Sequence, residues 1–354
     1  MELSVCIITK DDCENLKKCL KSLSQYPFEI VVVDTGSADV TIAMAKEYTE
    51  SVYTFSWCDD FAKAKNYAIS KAANDQVLVM DSDEYLDAVN LQELEQQMKA
   101  NSRAVGRIKI ENSFWQGEEV RWNVEYINRL FDRRYFQYKG KVHEQIVAID
   151  RKDYEGYMTS IVIKHSGYLL TEEQRLQKSE RNIHLLLKEL EEQGEDSYVL
   201  YQLGKSYYLK RDYESAYHYF SEAMGAGVNF RLEYVMDLVE SYGYAMLNSG
   251  RAEEALKLEE LYHEFADSAD FLFLMGLIYM NNEQFDKAVQ EFEKAAAQQE
   301  ARVKGVNGYL AFYNIGVIYE CMGVSDRAKE YYLRCGEYQP AIARLKLFGE
   351  DLYK

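Results

Sequence analysis

Proline is nearly absent, with two in 354 residues, so long helices with few breakers are expected. Positive charge is also in short supply. Against 59 acidic residues stand 41 Lys and Arg, a formal charge of −18, which disfavours nonspecific binding to nucleic acid or to an anionic membrane. No apolar run reaches the roughly 18 residues that a membrane-spanning helix requires. The N-terminal Glu2-Leu3-Ser4-Val5-Cys6-Ile7-Ile8 reads as a strand, without the basic stretch or cleavage site of a signal peptide. The six cysteines (Cys6, Cys13, Cys19, Cys58, Cys321, Cys335) include no Cys-x-x-Cys. Neither a zinc knuckle nor a disulfide framework is indicated, and reduced thiols in a cytosol are expected. No Gly-x-Gly-x-x-Gly follows the first strand, which argues against a dinucleotide-binding Rossmann domain. Nor is Thr9-Lys10-Asp11-Asp12 the Gly-rich basic loop that a nucleotidyltransferase would carry there.

What is present suits a globular chain of roughly two domains. Apolar residues make up 47% and charged residues 28%, and aromatics reach 14% through 30 tyrosines. In the first half, apolar strands near Val5, Phe28, Val52 and Val77 alternate with helical patterns, the second of them over residues 40–48. That order builds right-handed βαβ units and a parallel sheet. The fourth strand, Val77-Leu78-Val79-Met80, runs into Asp81-Ser82-Asp83-Glu84, where an open α/β sheet places its ligands. If the strand stays extended, Asp81 and Asp83 point the same way and Ser82 the opposite way. Paired carboxylates repel unless a cation lies between them, and a hard Mg²⁺ or Mn²⁺ shared with nucleotide phosphates is the natural occupant.

Four segments in order carry a specific resemblance. Asp34-Thr35-Gly36-Ser37-Ala38-Asp39-Val40-Thr41 resembles the Asp-x-Gly-Ser-x-Asp-x-Thr signature of family-2 glycosyltransferases of the GT-A fold. Thr9-Lys10-Asp11-Asp12 falls at that family's first strand end, and Trp57-Cys58-Asp59-Asp60-Phe61-Ala62-Lys63-Ala64-Lys65-Asn66 resembles its run into an Ala-Arg-Asn helix. Asp81-Ser82-Asp83 matches its Asp-x-Asp. The resemblance implies a donor site for a nucleotide-diphosphate sugar, most simply a UDP-sugar. Asp34 would accept from the base, with Thr9, Asp11 and Gly36 lining the pocket. Lys65, where the family more often has Arg, would face a phosphate as a point charge. Asp81 would hold the ribose, or the metal through water, and Asp83 the metal. A late His in some relatives makes His165 a candidate further ligand, with a structural role as the alternative.

Beyond residue 104, Val105 to Ile110 and Val120 to Val124 alternate like half-exposed antiparallel strands, with a hairpin loop expected over Asn112-Ser113-Phe114-Trp115-Gln116-Gly117. Arg-Leu-Phe at Arg129, Val-His-Glu at Val142 and the segment Ile161 to Tyr168 resemble a bacterial subgroup that often carries a helical-repeat tail. Inverting transfer needs a base within reach of the acceptor, and Glu144 is the first candidate. His143 is either catalytic or structural. Arg129 binds a diphosphate or a structural carboxylate.

From Thr171, a capping-box-like start, strand character disappears. Gly204, Gly243, Gly276 and Gly316 are each followed twelve residues on by alanine (Ala216, Ala255, Ala288, Ala328), and Phe220, Phe292 and Tyr332 stand four further on. This is the skeleton of the tetratricopeptide repeat, degenerate in its second unit, where Met246 and Glu259 occupy aromatic positions. The expected architecture is therefore an α/β GT-A domain with a mixed, mainly parallel sheet over residues 1–170, a linking helix over 171–198, and an all-α tetratricopeptide-repeat superhelix of about four repeats over 199–354. The expected activity is metal-dependent, inverting transfer of a hexose to a peptide or protein acceptor held by the repeats. The pairing resembles bacterial enzymes that modify a cysteine or serine of a bacteriocin precursor. Transfer to lipopolysaccharide or another cell-surface polysaccharide is the second reading, and a non-catalytic repeat scaffold the third. Repeat edges of this kind often dimerise, which leaves a homodimer among the expected partners.

Overall fold

The computed structural model describes residues 2–116, 119–165, 172–230 and 232–348. The chain divides into two compact units, residues 1–189 and 190–354.

In the first unit the elements are β1 (Ser4–Thr9), α1 (Cys13–Leu23), β2 (Glu29–Asp34), α2 (Thr41–Ala45), β3 (Val52–Thr54), α3 (Phe61–Lys71), β4 (Gln76–Asp81), β5 (Glu84–Ala88), α4 (Leu91–Ala100), β6 (Val105–Gln116), β7 (Glu119–Asp132), β8 (Phe136–Lys139), β9 (Gln145–Ala148), β10 (Gly156–His165) and α5 (Glu172–Gln193). One eight-stranded sheet runs in the order β3-β2-β1-β4-β7-β6-β10-β5, and β8 and β9 form a separate pair. The first four strands are parallel, as the βαβ alternation requires. Antiparallel β7 and β6 extend the sheet beyond β4, β10 adds in parallel to β6, and β5 closes the edge. The buried strands split their side chains between two layers. Val5, Ile7, Leu78 and Met80 meet Leu16, Cys19, Leu20 and Leu23 of α1, while Cys6, Ile8, Val77 and Val79 meet Ala64, Ala68 and Ile69 of α3.

Two expectations change. The helix expected over residues 40–48 covers only Thr41–Ala45. The segment from Asn112 to Gln116 is strand, with Asn112 opposite Asn123 and Gln116 opposite Glu119. Period-2 pairing continues through residues whose polarity suggested a turn, and Gly117, the end of that expected loop, lies outside the described residues. Ser166, Gly167 and Tyr168, and the helix start at Thr171, also lie outside them. All six cysteines are free thiols, and no helix among the described residues is long and apolar enough to cross a membrane.

The second unit is helical: α6 (Ser197–Leu209), α7 (Tyr213–Gly225), α8 (Glu233–Asn248), α9 (Ala252–Ala255), a 3₁₀ segment (Leu256–Leu261), α10 (Tyr262–Phe265), α11 (Ala269–Asn281), α12 (Phe285–Ala297), α13 (Tyr309–Cys321), α14 (Ser325–Arg334) and α15 (Gln339–Leu347). The period that marks the repeat has a steric cause. Gly204, Gly276 and Gly316 lie against the rings of Phe220, Phe292 and Tyr332, and a Cβ on Gly276 or Gly316 would stand 2.6 Å from the ring. At Gly243 no ring fills the gap and Leu274 and Leu258 take its place. Without that aromatic wedge, the second helix of this repeat breaks into α9, the 3₁₀ turn and α10.

Gly276→Ala is expected to lower stability by about 1–3 kcal/mol through overpacking. Gly225→Ala, with nothing within 4 Å of the added carbon, is expected to be neutral or to stabilise by up to about 1 kcal/mol. Urea unfolding of the two variants checks the contrast.

Candidate active site

Two loops at the C-terminal ends of β1 and β2 are tied together. Asp11 N–H donates to Ser37 Oγ (2.8 Å), and its Oδ1 accepts from Ala38 N–H (2.7 Å). Thr35 N–H and Oγ1–H both donate to the Thr9 carbonyl. Asp34, 2% exposed, uses Oδ2 to accept from the amides of Gly36 and Ser37, both at 2.9 Å. Gly36 takes φ +112°, a left-handed value that a side chain would resist. Asp34 Oδ1 and Thr9 Oγ1 are buried with no hydrogen-bond partner. A buried carboxylate oxygen left without a donor is costly and marks a place for one. Thr9, Asp11, Asp34 and Gly36, expected to line one pocket, thus come together in these paired loops.

A second group is a chain of alternating charge. Lys65 Nζ from α3 lies 2.9 Å from Asp81 Oδ1 and 2.6 Å from Glu144 Oε1. Arg129 of β7 donates from Nη2 to Asp81 Oδ2 (2.7 Å) and to Glu84 Oε1 (3.2 Å), and Glu84 Oε2 accepts from Asp81 N–H (2.8 Å). Lys65 is 4% exposed. Burial works against its ammonium, yet Asp81 and Glu144 hold its pKa above the ordinary lysine value. Burial likewise opposes the Asp81 carboxylate, but Arg129 and Lys65 outweigh it and pull its pKa far down. For Glu84 burial wins over Arg129 and the pKa rises. The Tyr138 ring lies under Lys65 (5.5 Å), its hydroxyl has no partner, and burial pushes its pKa up to about 12.

Asp83 belongs to a third group. β4 ends at Asp81 and the chain turns through Ser82 and Asp83 before β5, so the period of an extended strand no longer applies. Contrary to the extended-strand expectation, the two carboxylates take different partners. Asp81, its side chain 37% exposed, joins Lys65 and Arg129, while Asp83 Oδ2 lies 3.1 Å from His165 Nε2. His165 Nδ1 is 2.9 Å from Asn112 Oδ1. An amide oxygen only accepts, so Nδ1 carries the proton and Nε2 faces the carboxylate. Burial lowers the His165 pKa, but the hydrogen bond to Asp83 and the nearby acids raise it overall. Ser82 Oγ–H donates to Asp12 Oδ2 (2.6 Å).

The structure brings Lys65, Asp81 and Glu144 together and gives His165 to Asp83. The His143 ring, by contrast, is met by Asn182 at 3.3 Å. Sequence reasoning missed Glu84, Asn112 and Asn66. The Asn66 side chain bonds both the N–H and C=O of Tyr138, fixing β8 (2.9 and 2.8 Å). Its place directly after Lys65 in a motif was the available signal. A lone Asn112 in an alternating strand offered none.

Lys65→Met is expected to cost about 1–3 kcal/mol, because Glu144 loses its partner while Arg129 keeps Asp81. Glu144→Gln should cost less, because Lys65 keeps Asp81. The double variant should recover part of the loss, as read from a double-mutant cycle in urea.

The comparisons follow this geometry. Residues 4–154 match the family model described as Glycosyl transferase family 2, and residues 269–301 and 309–342 match that of the tetratricopeptide repeat. A TPR repeat-containing protein of Synechococcus elongatus is 27% identical over 91% of this chain and 72% of its own length. The SPbeta prophage-derived glycosyltransferase SunS of Bacillus subtilis is 25% identical over 62% of this chain, a match that spans 52% of SunS. Among solved structures, S. aureus TarS aligns over 74% of this chain and 55% of its own at 16% identity and a TM-score of 0.42. Residues 4–154 thus form a family-2 glycosyltransferase domain within the first unit, and the second unit carries tetratricopeptide repeats.

Proposed function

We propose that this chain transfers a hexose, with inversion and with the help of a divalent metal, from a UDP-sugar to a peptide or protein acceptor. The observation that carries the reading is the buried, partnerless Asp34 Oδ1 beside the equally partnerless Thr9 Oγ1, between two loops locked together. An acceptor of fixed position there suits the imide N–H of uracil, and a charge-assisted bond to it would discriminate against bases without that donor.

The donor set also fits Mg²⁺ or Mn²⁺. With Nδ1 turned to Asn112, Nε2 of His165 faces Asp83, and a divalent ion would take the place of the proton that the imidazole otherwise offers that carboxylate. Their 3.1 Å separation is close to the roughly 2.9 Å spanned by adjacent ligands of an octahedral ion. Asn112 fixes the ring as an outer partner of a metal-bound histidine does. Asp83 and His165 would hold the ion, and diphosphate and water would fill its other positions. Among the described residues no set of three His, Cys, Asp or Glu side chains could hold a metal alone. Bound, the ion neutralises the charge that develops on the departing diphosphate.

The chain's own groups do the rest. Asp34 orients the base. Arg129 and Lys65 keep Asp81 ionised at the rim, where it accepts from the ribose or from a metal-bound water. Glu144, held in place by Lys65, takes the proton from the acceptor nucleophile. The repeats offer the extended surface that a peptide acceptor needs. A cytosolic setting suits the free thiols and the donor alike.

Two measurements test this reading. Calorimetry should show UDP binding that Asp34→Asn weakens by about 1.5–3 kcal/mol, the worth of a hydrogen bond to a charged group. Uridine-independent binding, or no binding of any nucleotide, would instead point to a scaffold. Mn²⁺ should bind weakly alone and more tightly once UDP is present, and Asp83→Ala or His165→Ala should remove that gain. Mass spectrometry of candidate peptides incubated with a UDP-sugar panel then decides the acceptor class.

A further inference from the structure

The family-2 match ends at residue 154, and α5 lies beyond it, but α5 belongs to the first unit as far as Glu189. Its buried face is unusual in carrying polar groups: Ser179, Asn182 and Glu189 are each no more than 6% exposed. Buried polar groups are kept where they bond something, and two of these three bond the turn that carries Glu144.

That turn, residues 140–144, joins β8 to β9. It contains two left-handed residues, Gly140 at φ +107° and His143 at φ +54°. A non-glycine residue in that region persists only where its surroundings over-determine it. Here they do. The Lys141 amide donates to Glu189 Oε2 (2.6 Å) and its carbonyl accepts from Phe61 N–H, the first residue of α3 (2.8 Å). Asn182 Nδ2 meets the His143 ring (3.3 Å). Gly140 leaves room for the closure, since a Cβ there would stand 3.3 Å from Glu144 Cα and 3.7 Å from Glu189 Oε1. Farther along, Asn66 fixes β8 and Lys188 pairs with Asp59 (3.0 Å). The turn is thus gripped by α3 on one side and by α5 on the other, and its last residue places Oε1 2.6 Å from Lys65.

We propose that α5 is a working part of the catalytic domain, and that Glu189 and Asn182 are positioning residues that hold the 140–144 turn and thereby aim the Glu144 carboxylate. The proposal rests on the reading of Glu144 as the base. Neither residue touches substrate. They act through a backbone contact on Lys141 and a ring contact on His143.

The test uses the full-length chain with Mn²⁺ and, as probes, UDP-glucose, UDP-galactose and UDP-N-acetylglucosamine. It compares Glu189→Ala, Glu189→Gln, Asn182→Ala and Glu144→Gln by UDP release, UDP affinity and amide hydrogen exchange. Glu189→Ala is expected to lower kcat about a hundredfold, the effect of misplacing a reacting group by an ångström, with donor KM and UDP affinity unchanged. Glu189→Gln should restore turnover, because its amide oxygen still accepts from the Lys141 N–H. Amides at 141–146 should exchange about tenfold faster in Glu189→Ala and at the wild-type rate in Glu189→Gln, while those at 29–37 stay unchanged. Asn182→Ala reads the same turn through His143 if Glu189→Ala melts without cooperativity. Wild-type turnover in Glu189→Ala, beside an inactive Glu144→Gln, overturns the positioning role and leaves the base in place. Full activity in Glu144→Gln overturns the base itself. Should the wild-type chain release UDP from none of the three probes, exchange decides alone, and unchanged rates at 141–146 overturn the proposal.

Discussion

The first unit depends on a single buried ammonium. Lys65 bridges Asp81 and Glu144, and with Arg129 and Glu84 it completes a run of alternating charge through five side chains from five places in the chain. Three carboxylates cannot share so enclosed a space without cations between them, because the desolvation of each must be offset locally. The run therefore works as a register device. It fixes the end of β4 against β7, the start of α3 against the β8–β9 turn, and the backbone at Asp81 through Glu84. Because Asp81 is engaged from both sides, the next two residues turn away, and Asp83 is delivered to His165 on the far edge of the sheet.

Much of this was legible in the residues. β1, β2 and β4 show as short apolar runs because both their faces are covered, and their tips show as acidic clusters where the chain leaves the sheet. The loop at Asp34 was readable because a glycine at +112° and two exposed amides constrain residue types strongly. The divergence of Asp81 and Asp83 was not readable. Period-2 alternation predicts direction only while the backbone stays extended, and no residue type at Ser82 signals that it stops. Glu84 was hidden for a related reason, since a third acid in the Asp81–Glu84 stretch looks solvated until a buried Arg129 is known to face it. The hairpin of β6 and β7 was expected to turn early because Asn, Ser and Gly suggest turns, yet cross-strand pairing overrode that preference.

In the helical unit, a spacing of sixteen residues from glycine to ring carried nearly the whole architecture, because each pair is one contact between antiparallel helices. Where the ring is missing, at Glu259, the sequence showed degeneracy but not its form, a helix broken into a 3₁₀ turn. The affiliation of α5 was the least accessible feature. An amphipathic helix announces that one face is buried, but its pattern is silent on which body covers that face, and a family boundary at residue 154 suggests a linker where the fold supplies a wall.

Charge explains why these parts belong together. Asp81, Asp83, Glu84 and Glu144 are set against the two permanent cations Lys65 and Arg129, and both cations are already committed to carboxylates. A diphosphate approaching such a surface meets net repulsion. In the proposed reading, a diphosphate donor would therefore need positive charge that arrives with it or gathers at the edge where His165 faces Asp83. That requirement separates two tasks that the Asp-Ser-Asp stretch seems to merge. Asp81 is engaged by Lys65 and Arg129 on one side of the turn, while Asp83 faces the His165 imidazole on the other. The same cation orders the carboxylate proposed as the base. Lys65 lies 2.6 Å from Glu144 and 2.9 Å from Asp81, so one ammonium sets the positions of both acids.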